Sequence, residues 1–77
     1  MTEELHYTMV VQWSEADQAY VVTLPEWEGR VFNPITHGDT YERAIENAHD
    51  ALSALVASAR ERNEQLPEPQ ILAVHGR

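Results

Sequence analysis

The sequence predicts an α+β fold in the order β-β-β-α-β, with one long helix packed on one face of an antiparallel sheet of three to four strands. Two β-rich segments separated by a short polar loop begin the chain, and one long amphipathic segment follows them. The 77 residues are enough for a single domain, spanning residues 1–77. With 43% hydrophobic and 23% charged residues, the composition is that of a folded chain.

The first two strands are predicted at Leu5–Trp13 and Ala19–Leu24, joined as an antiparallel hairpin by the polar turn Ser14–Gln18. Alternation in the first strand places its large apolar residues on one face: Leu5, Tyr7, Met9, Val11 and Trp13. Pro25 ends the second strand, because proline has no N–H to donate to a sheet.

A turn at Glu26–Gly29 leads to a predicted short third strand at Arg30–Phe32, followed by the extended pair Ile35–Thr36. Asp39 or Thr40 is predicted to be the N-cap of the helix, since either side chain can accept a hydrogen bond from a free N–H of the first turn. Asp39 also has a glutamate three residues later, which is the spacing of a capping box.

The helix is predicted at Tyr41–Arg62, a segment without glycine or proline. Its apolar residues recur at steps of three and four and form one stripe: Ala44, Ile45, Ala48, Leu52, Leu55, Val56 and Ala59. Asn63 can adopt the left-handed conformation that ends a helix. The stiff connector Leu66–Pro69 then precedes a last predicted strand at Gln70–His75.

One helix covers one face of a sheet and leaves the other face open. Val10 lies on that open face, together with either Tyr20 and Val22 or Ala19 and Val21. Small domains often hide such surface by association, so a homodimer or higher homo-oligomer is predicted. The alternative is that these side chains are ordinary scattered surface residues.

The charge is strongly negative, with 13 acidic residues against 5 arginines and a net charge of −8. Nucleic-acid binding requires clustered cations, so direct contact of this domain alone with nucleic acid is not expected. The negative charge suits a basic protein partner, because complementary fields orient and accelerate docking. Alternatively, it serves only solubility.

The chain has no cysteine, which excludes disulfides and thiolate chemistry and fits a reducing compartment. No signal peptide and no long apolar segment is evident, so a cytoplasmic protein without membrane contact is expected.

Catalytic and metal-binding patterns are absent from the sequence, and neither an enzyme nor a cofactor is expected. The four histidines are scattered, without a pair at metal-ligand spacing. His37 stands beside Gly38, where a role in the turn is favoured over a catalytic one. A two-metal nuclease needs carboxylates on its strands, and Leu5–Trp13 contains none.

Trp27 is the most informative residue of the loops, because acidic residues flank it on both sides. A tryptophan among acids is typical of an anchor for a basic partner. The alternative is that Trp27 folds back over the helix and completes a small core.

Several motifs in this order resemble the HicB-like antitoxin family. They are the segments Tyr7–Val11, Ala19–Gly29 and His37–Ala44, the helical step Asn47–Leu52 and the connector Leu66–Pro69. Together they cover nearly the whole chain, and their order and spacing are more specific than any one of them.

The resemblance implies a partial ribonuclease-H-like fold without nuclease carboxylates. It also implies a role as an antitoxin that neutralises a small basic HicA-like toxin, an mRNA-cleaving ribonuclease, by covering the toxin's active surface. The candidate toxin contacts lie on loops at strand ends: Glu15, Asp17, Glu26, Trp27 and Glu28. Many family members add a C-terminal DNA-binding domain, which this sequence does not show before Arg77. The alternative is an orphan HicB-like module that self-oligomerises and has no toxin.

Overall fold

The computed structural model describes residues 5–72 and has one sheet and one long helix. Its elements are the strands β1 (Val10–Ser14), β2 (Ala19–Thr23) and β3 (Thr36–Gly38), a short 3₁₀ turn at Pro25–Trp27, and the helix α1 (Tyr41–Glu61). The strands pair antiparallel in the order β1-β2-β3, and α1 packs on one face of the sheet. The predicted α+β class is confirmed.

The predicted hairpin is present between β1 and β2, with Val10 opposite Thr23 and Ser14 opposite Ala19. The connecting loop is closed locally, because the Ser14 hydroxyl donates to the Asp17 carboxylate at 3.0 Å and accepts from the Asp17 N–H at 3.2 Å. Gln18 completes the turn with a positive φ of 52°.

β1 begins at Val10, so the predicted start at Leu5 is wrong. The cause lies in the neighbouring strand, which ends at Thr23 just before Pro25 opens the 3₁₀ turn. Residues 5–9 therefore have no continuous strand beside them. The Thr8 N–H instead donates to the carboxylate of Glu26.

The predicted third strand at Arg30–Phe32 is also wrong, because the N–H groups of Arg30 and Val31 both donate to the carbonyl oxygen of Trp27, at 2.9 and 3.2 Å. The third strand lies at Thr36–Gly38 and pairs with Tyr20–Val22. The last position of this strand requires glycine, because a Cβ on Gly38 would lie 2.8 Å from the Cα of Ala44 in the first turn of α1.

The helix prediction is confirmed, and α1 ends one residue before the expected Arg62. Thr40 is the N-cap, and its hydroxyl accepts from the Arg43 N–H at 3.1 Å. At the other end Asn63 has a φ of 57° and donates to the Arg60 carbonyl, while the Glu64 N–H donates to the carbonyl of Ala59 at 2.8 Å. This pair of bonds is a Schellman motif.

The core lies between α1 and the helix-facing side of the sheet. One cluster contains Leu24, Trp27, Leu52 and Val56, and a second contains Val22, Ala44 and Ala48. Tyr20 packs against the second cluster, so Tyr20 and Val22 are the residues of β2 that point to the helix. Val21 therefore lies on the open face of the sheet, together with Val10.

After α1 and its closing turn, the described chain has no regular secondary structure. Gln70, Ile71 and Leu72 form no strand, and the rest of the predicted strand Gln70–His75 lies outside the described residues. Ile71 is 64% exposed and Leu72 is 92% exposed. Within residues 5–72 the sheet therefore has three strands.

Candidate functional site

Trp27 lies inside the core, with 2% of its surface exposed. Its ring contacts Tyr7 edge to face at a centroid distance of 5.6 Å, and the Arg30 guanidinium lies over it at 5.8 Å. A side chain this deeply buried does not present itself to a partner. This burial favours the core alternative stated for Trp27 over a contact with a partner.

Glu26 connects the two ends of the described chain. Its carboxylate accepts from the Thr8 N–H at 3.1 Å, the Thr8 hydroxyl at 2.9 Å and the Gln70 N–H at 2.8 Å. Burial acts to raise the pKa of Glu26, but hydrogen bonds from Gln70 and Thr8 outweigh it and lower that pKa below the usual value. Glu26 thus has a structural role that its position in an acidic loop does not reveal.

Tyr7 strengthens the same connection between the chain ends. Its hydroxyl donates to the carbonyl oxygen of Pro67 at 2.6 Å. Burial raises the pKa of this phenol above its usual value, although the charge of Arg30 opposes the shift. The hydroxyl therefore acts as a neutral donor at physiological pH.

The remaining candidates do not form a single surface. Glu15 and Asp17 are exposed in the loop before β2, whereas Glu28 follows the 3₁₀ turn after β2 and accepts from the Asn33 amide at 3.2 Å. The five residues of β2 separate these two groups by about 17 Å, at about 3.4 Å per residue. The expected cluster at the strand ends is therefore two separate groups.

The structure brings together three aromatic side chains that the sequence analysis did not group. Tyr20 contacts Trp13 edge to face at a centroid distance of 5.1 Å and lies tilted against Tyr41 at 4.3 Å. Trp13 is 47% exposed and Tyr41 is 60% exposed. We call these three residues the aromatic strip. It crosses from β1 over β2 to the start of α1.

Trp13 was predicted to lie with the core-facing residues of β1, and its face is indeed the one that Tyr20 shares. It is nevertheless half exposed, because α1 begins at Tyr41 and covers only the part of the sheet beyond it. A signal was available in the sequence, since Trp13 is the last apolar residue of its strand and Tyr41 the first of the helix.

A shallow groove of about 420 Å³ continues the aromatic strip along α1, and we call it the helix groove. Its lining residues are Tyr41, Glu42, Ile45, Glu46 and His49. Tyr41, Ile45 and His49 are spaced by four residues, and so are Glu42 and Glu46, which places them on neighbouring rows of one helix side. An apolar wall therefore lies beside two carboxylates.

Acidic side chains lie at both ends of the molecule, and the number of arginines distinguishes the two ends. At the end formed by the β1–β2 loop and the start of α1, which we call the hairpin end, the acidic residues are Glu15, Asp17, Asp39, Glu42 and Glu46. Arg43 is the arginine of this end, and it lies 3.9 Å from Glu46. Arg30, Arg60 and Arg62 lie at the opposite end, near the last turns of α1. They offset part of the negative charge of the acids there, which are Glu26, Glu28, Glu61, Glu64 and Glu68. The aromatic strip therefore stands in the more acidic part of the described chain.

A second groove of about 480 Å³ lies at the opposite end, between Trp27, Arg30 and the last turns of α1. Both of its arginines have partners: Arg30 donates to the Gln65 carbonyl at 2.7 Å, and Arg62 pairs with Glu64 at 3.1 Å. The Arg30 bond therefore ties the segment after α1 to the chain that follows the 3₁₀ turn, whereas the Arg62 pair is local to that segment.

The possible metal ligands of the described residues are scattered over the fold. Within residues 5–72, no group of three or more histidine, aspartate or glutamate side chains is placed to hold a metal ion. His37 contributes its backbone carbonyl, which accepts from the Asn47 amide at 2.7 Å. In the same part of the chain, α1 is too polar to be a membrane-crossing helix, and no other described helix qualifies.

Comparison with known proteins identifies the family. The model of the HicB-like antitoxins of bacterial toxin–antitoxin systems matches residues 7–76, which is nearly the whole chain. No curated protein and no solved structure matches the chain significantly. The family match includes the hairpin, the 3₁₀ turn and α1, which are the elements that carry the aromatic strip and its acids. The chain belongs to the HicB-like antitoxins of bacterial toxin–antitoxin systems.

Proposed function

We propose that this protein is a non-enzymatic antitoxin that neutralises a small basic HicA-like toxin by covering the surface with which the toxin binds and cleaves mRNA. The observation that carries the proposal is the family match over residues 7–76. The net charge of −8 supports it, because a ribonuclease binds the phosphates of RNA with cationic groups. An acidic protein occupies the same groups in competition with RNA.

The mechanism is steric and electrostatic occlusion. The exposed carboxylates of Glu15 and Asp17 are the two original contact candidates that remain at the hairpin end. Glu28 is exposed at the opposite end and is the weaker candidate, because Asn33 already donates to it. Glu26 supports the complex indirectly, by holding the segments at Thr8 and Gln70 in place. The domain itself makes no direct contact with nucleic acid in this proposal.

A second candidate function is a self-associating HicB-like module without a toxin. It is supported by exposed apolar side chains away from the hairpin end: Phe32 is 96% exposed, Ile71 64% and Leu72 92%. Exposed apolar groups of this size favour association. A homodimer or higher homo-oligomer would cover them, and it is compatible with an antitoxin as well.

Co-expression with a HicA-like toxin in a bacterial cytoplasm tests the proposed function. We expect the toxin alone to arrest growth and the pair to grow normally, with a stable complex on size-exclusion chromatography. Purified complex should leave an mRNA substrate intact, whereas free toxin degrades it. Continued arrest with every small basic toxin encoded beside this protein would contradict the proposal and leave the self-associating module.

A further inference from the structure

We infer that the aromatic strip and the helix groove form the docking surface for arginine or lysine side chains of a basic protein partner. The inference rests on the proposed function and adds the surface and the chemistry that it recognises. The surface consists of Trp13, Tyr20 and Tyr41, with the flanking carboxylates of Glu15, Glu42 and Glu46. None of the original candidates except Glu15 belongs to it.

The ring geometry favours cations. The faces of tryptophan and tyrosine carry negative electrostatic potential and attract guanidinium and ammonium groups. Trp13 donates its indole N–H to the Glu15 carboxylate at 3.0 Å, which fixes the ring and holds a negative charge at its edge. A guanidinium seated on the exposed indole face can therefore also donate to a carboxylate.

The helix groove provides a second site beside the first. Ile45 and the Tyr41 ring offer an apolar wall for the alkyl stem of a long cationic side chain. Glu42 and Glu46 lie one helical turn apart beside this wall and can each receive a charged head group. Two cations on a partner segment are thus accommodated by the strip and the groove together.

The charge of the surface favours a basic protein segment over the two other partners that an aromatic surface could bind, which are RNA and a second copy of this chain. RNA bases stack on exposed aromatic rings, but single-stranded nucleic acid also needs a positive groove along its backbone. The surface has Arg43 against several carboxylates, so phosphates are repelled. A second copy of this chain carries the same net charge of −8, and joining two strips would bring like charges together.

The test uses a hexa-arginine peptide and the full-length protein, so that it requires no toxin. The two indole N–H signals in an NMR spectrum report on different places. The Trp13 signal is the probe, because Trp13 lies in the docking surface, and the Trp27 signal is the internal reference, because Trp27 lies in the core. We expect the peptide to shift the Trp13 signal in a saturable manner and to leave the Trp27 signal in place. A hexaglutamate peptide should shift neither.

Two pairs of variants separate the surface from the overall charge. Trp13→Leu combined with Tyr41→Leu keeps the charge and should weaken peptide binding roughly five- to thirty-fold. Isothermal titration calorimetry measures the affinity of every variant, because this one lacks the Trp13 signal. Phe32→Leu, the same kind of change at a remote exposed ring, should leave it unchanged. Glu42→Gln with Glu46→Gln should weaken binding more than Glu61→Gln with Glu68→Gln, although both pairs remove two charges. Circular dichroism verifies that each variant is folded.

Equal effects within either pair of variants would overturn the inference, since binding would then follow net charge alone. The same variants distinguish the inference from the function on which it rests. If the Trp13→Leu, Tyr41→Leu protein still neutralises a toxin that the natural protein neutralises, the docking surface is wrong and the antitoxin function stands. If the peptide binds as expected but no toxin is neutralised, the surface stands and the toxin partner is wrong.

Discussion

Trp27 stabilises the fold although its sequence context is that of a recognition loop. The ring fills the space between Leu24, Leu52 and Val56. Replacing a buried tryptophan by alanine removes its transfer free energy and leaves a cavity. We therefore predict that Trp27→Ala lowers the free energy of unfolding by about 3–5 kcal/mol. In a domain this small, that loss is expected to leave much of the protein unfolded.

Urea denaturation monitored by circular dichroism measures the effect. Phe32→Ala is the matched control, because Phe32 is 96% exposed, and its unfolding free energy should change by no more than about 0.5 kcal/mol. An unchanged midpoint for Trp27→Ala, together with weaker toxin binding, would restore Trp27 as a contact residue.

Glu26 makes stability depend on pH in a direction that its lowered pKa determines. Because the carboxylate has a lower pKa in the folded protein than in the unfolded chain, it contributes stability that is fully present above the unfolded pKa. This contribution is lost as the pH falls through the folded pKa. Glu26→Gln removes the charge that Thr8 and Gln70 stabilise, and it should destabilise the protein at neutral pH.

The measurement is the difference in unfolding free energy between the natural protein and Glu26→Gln, from neutral pH to about pH 3. We expect the difference to shrink as the natural carboxylate becomes protonated. Glu68→Gln is the control on the segment that Glu26 holds, since Glu68 is exposed there. A difference that stays constant over the whole range would show that the carboxylate's charge contributes nothing.

At the scale of the elements, the cap of α1 is assigned to Thr40 and not to Asp39. The Thr40 hydroxyl accepts a hydrogen bond from the N–H of Arg43, three residues later in the chain. We predict that Thr40→Ala lowers the unfolding free energy by about 1 kcal/mol, while Thr40→Ser preserves most of it. Asp39→Ala should cost less than Thr40→Ala in the same urea denaturation. The reverse order would indicate that Asp39 is the cap in solution.

The helix was predictable because the information for it is local. The stripe of alanine and leucine from Ala44 to Ala59, the cap and Asn63 all lie within or beside α1. The strands depend on partners that are distant in the sequence, and for this reason the start of the first strand and the position of the third were predicted wrongly. The residues of Arg30–Phe32 are typical of a strand, but hydrogen bonds from this segment to the Trp27 carbonyl form a turn instead. Glycine is typical of turns, yet Gly38 lies in β3, because only glycine fits so close to Ala44.

The candidate contact residues, like the strands, could be predicted only where the information is local in the sequence. Acidic loop residues were recognisable in the sequence, so Glu15 and Asp17 could be proposed as exposed contacts. The aromatic strip was not predictable, because its three rings come from three different elements and meet only after the register of β1 and β2 and the start of α1 are fixed. Trp13 and Tyr20 become neighbours through that register, in which they are directly paired.

At the scale of the whole molecule, the net charge of −8 has opposite consequences for the two candidate functions. Attraction between this protein and a basic toxin is strongest at low salt, because mobile ions screen charges over about 10 Å at 0.1 M and about 3 Å at 1 M. Repulsion between two copies of this protein is screened by the same ions. Salt should therefore weaken the toxin complex and strengthen self-association.

We predict that raising the salt from about 20 mM to about 500 mM slows association with an inactive HicA-like toxin at least about tenfold, as stopped-flow fluorescence of Trp13 can measure. Sedimentation of this protein alone over the same range should show more oligomer at high salt, because its apolar contacts at Phe32, Ile71 and Leu72 are not screened. A toxin association rate independent of salt would mean that apolar contacts, and not the carboxylates of the hairpin end, control the encounter. Oligomers that dissociate in salt would mean that opposite charges, such as the arginines near the end of α1 and the acids of the hairpin end, join one copy to the next.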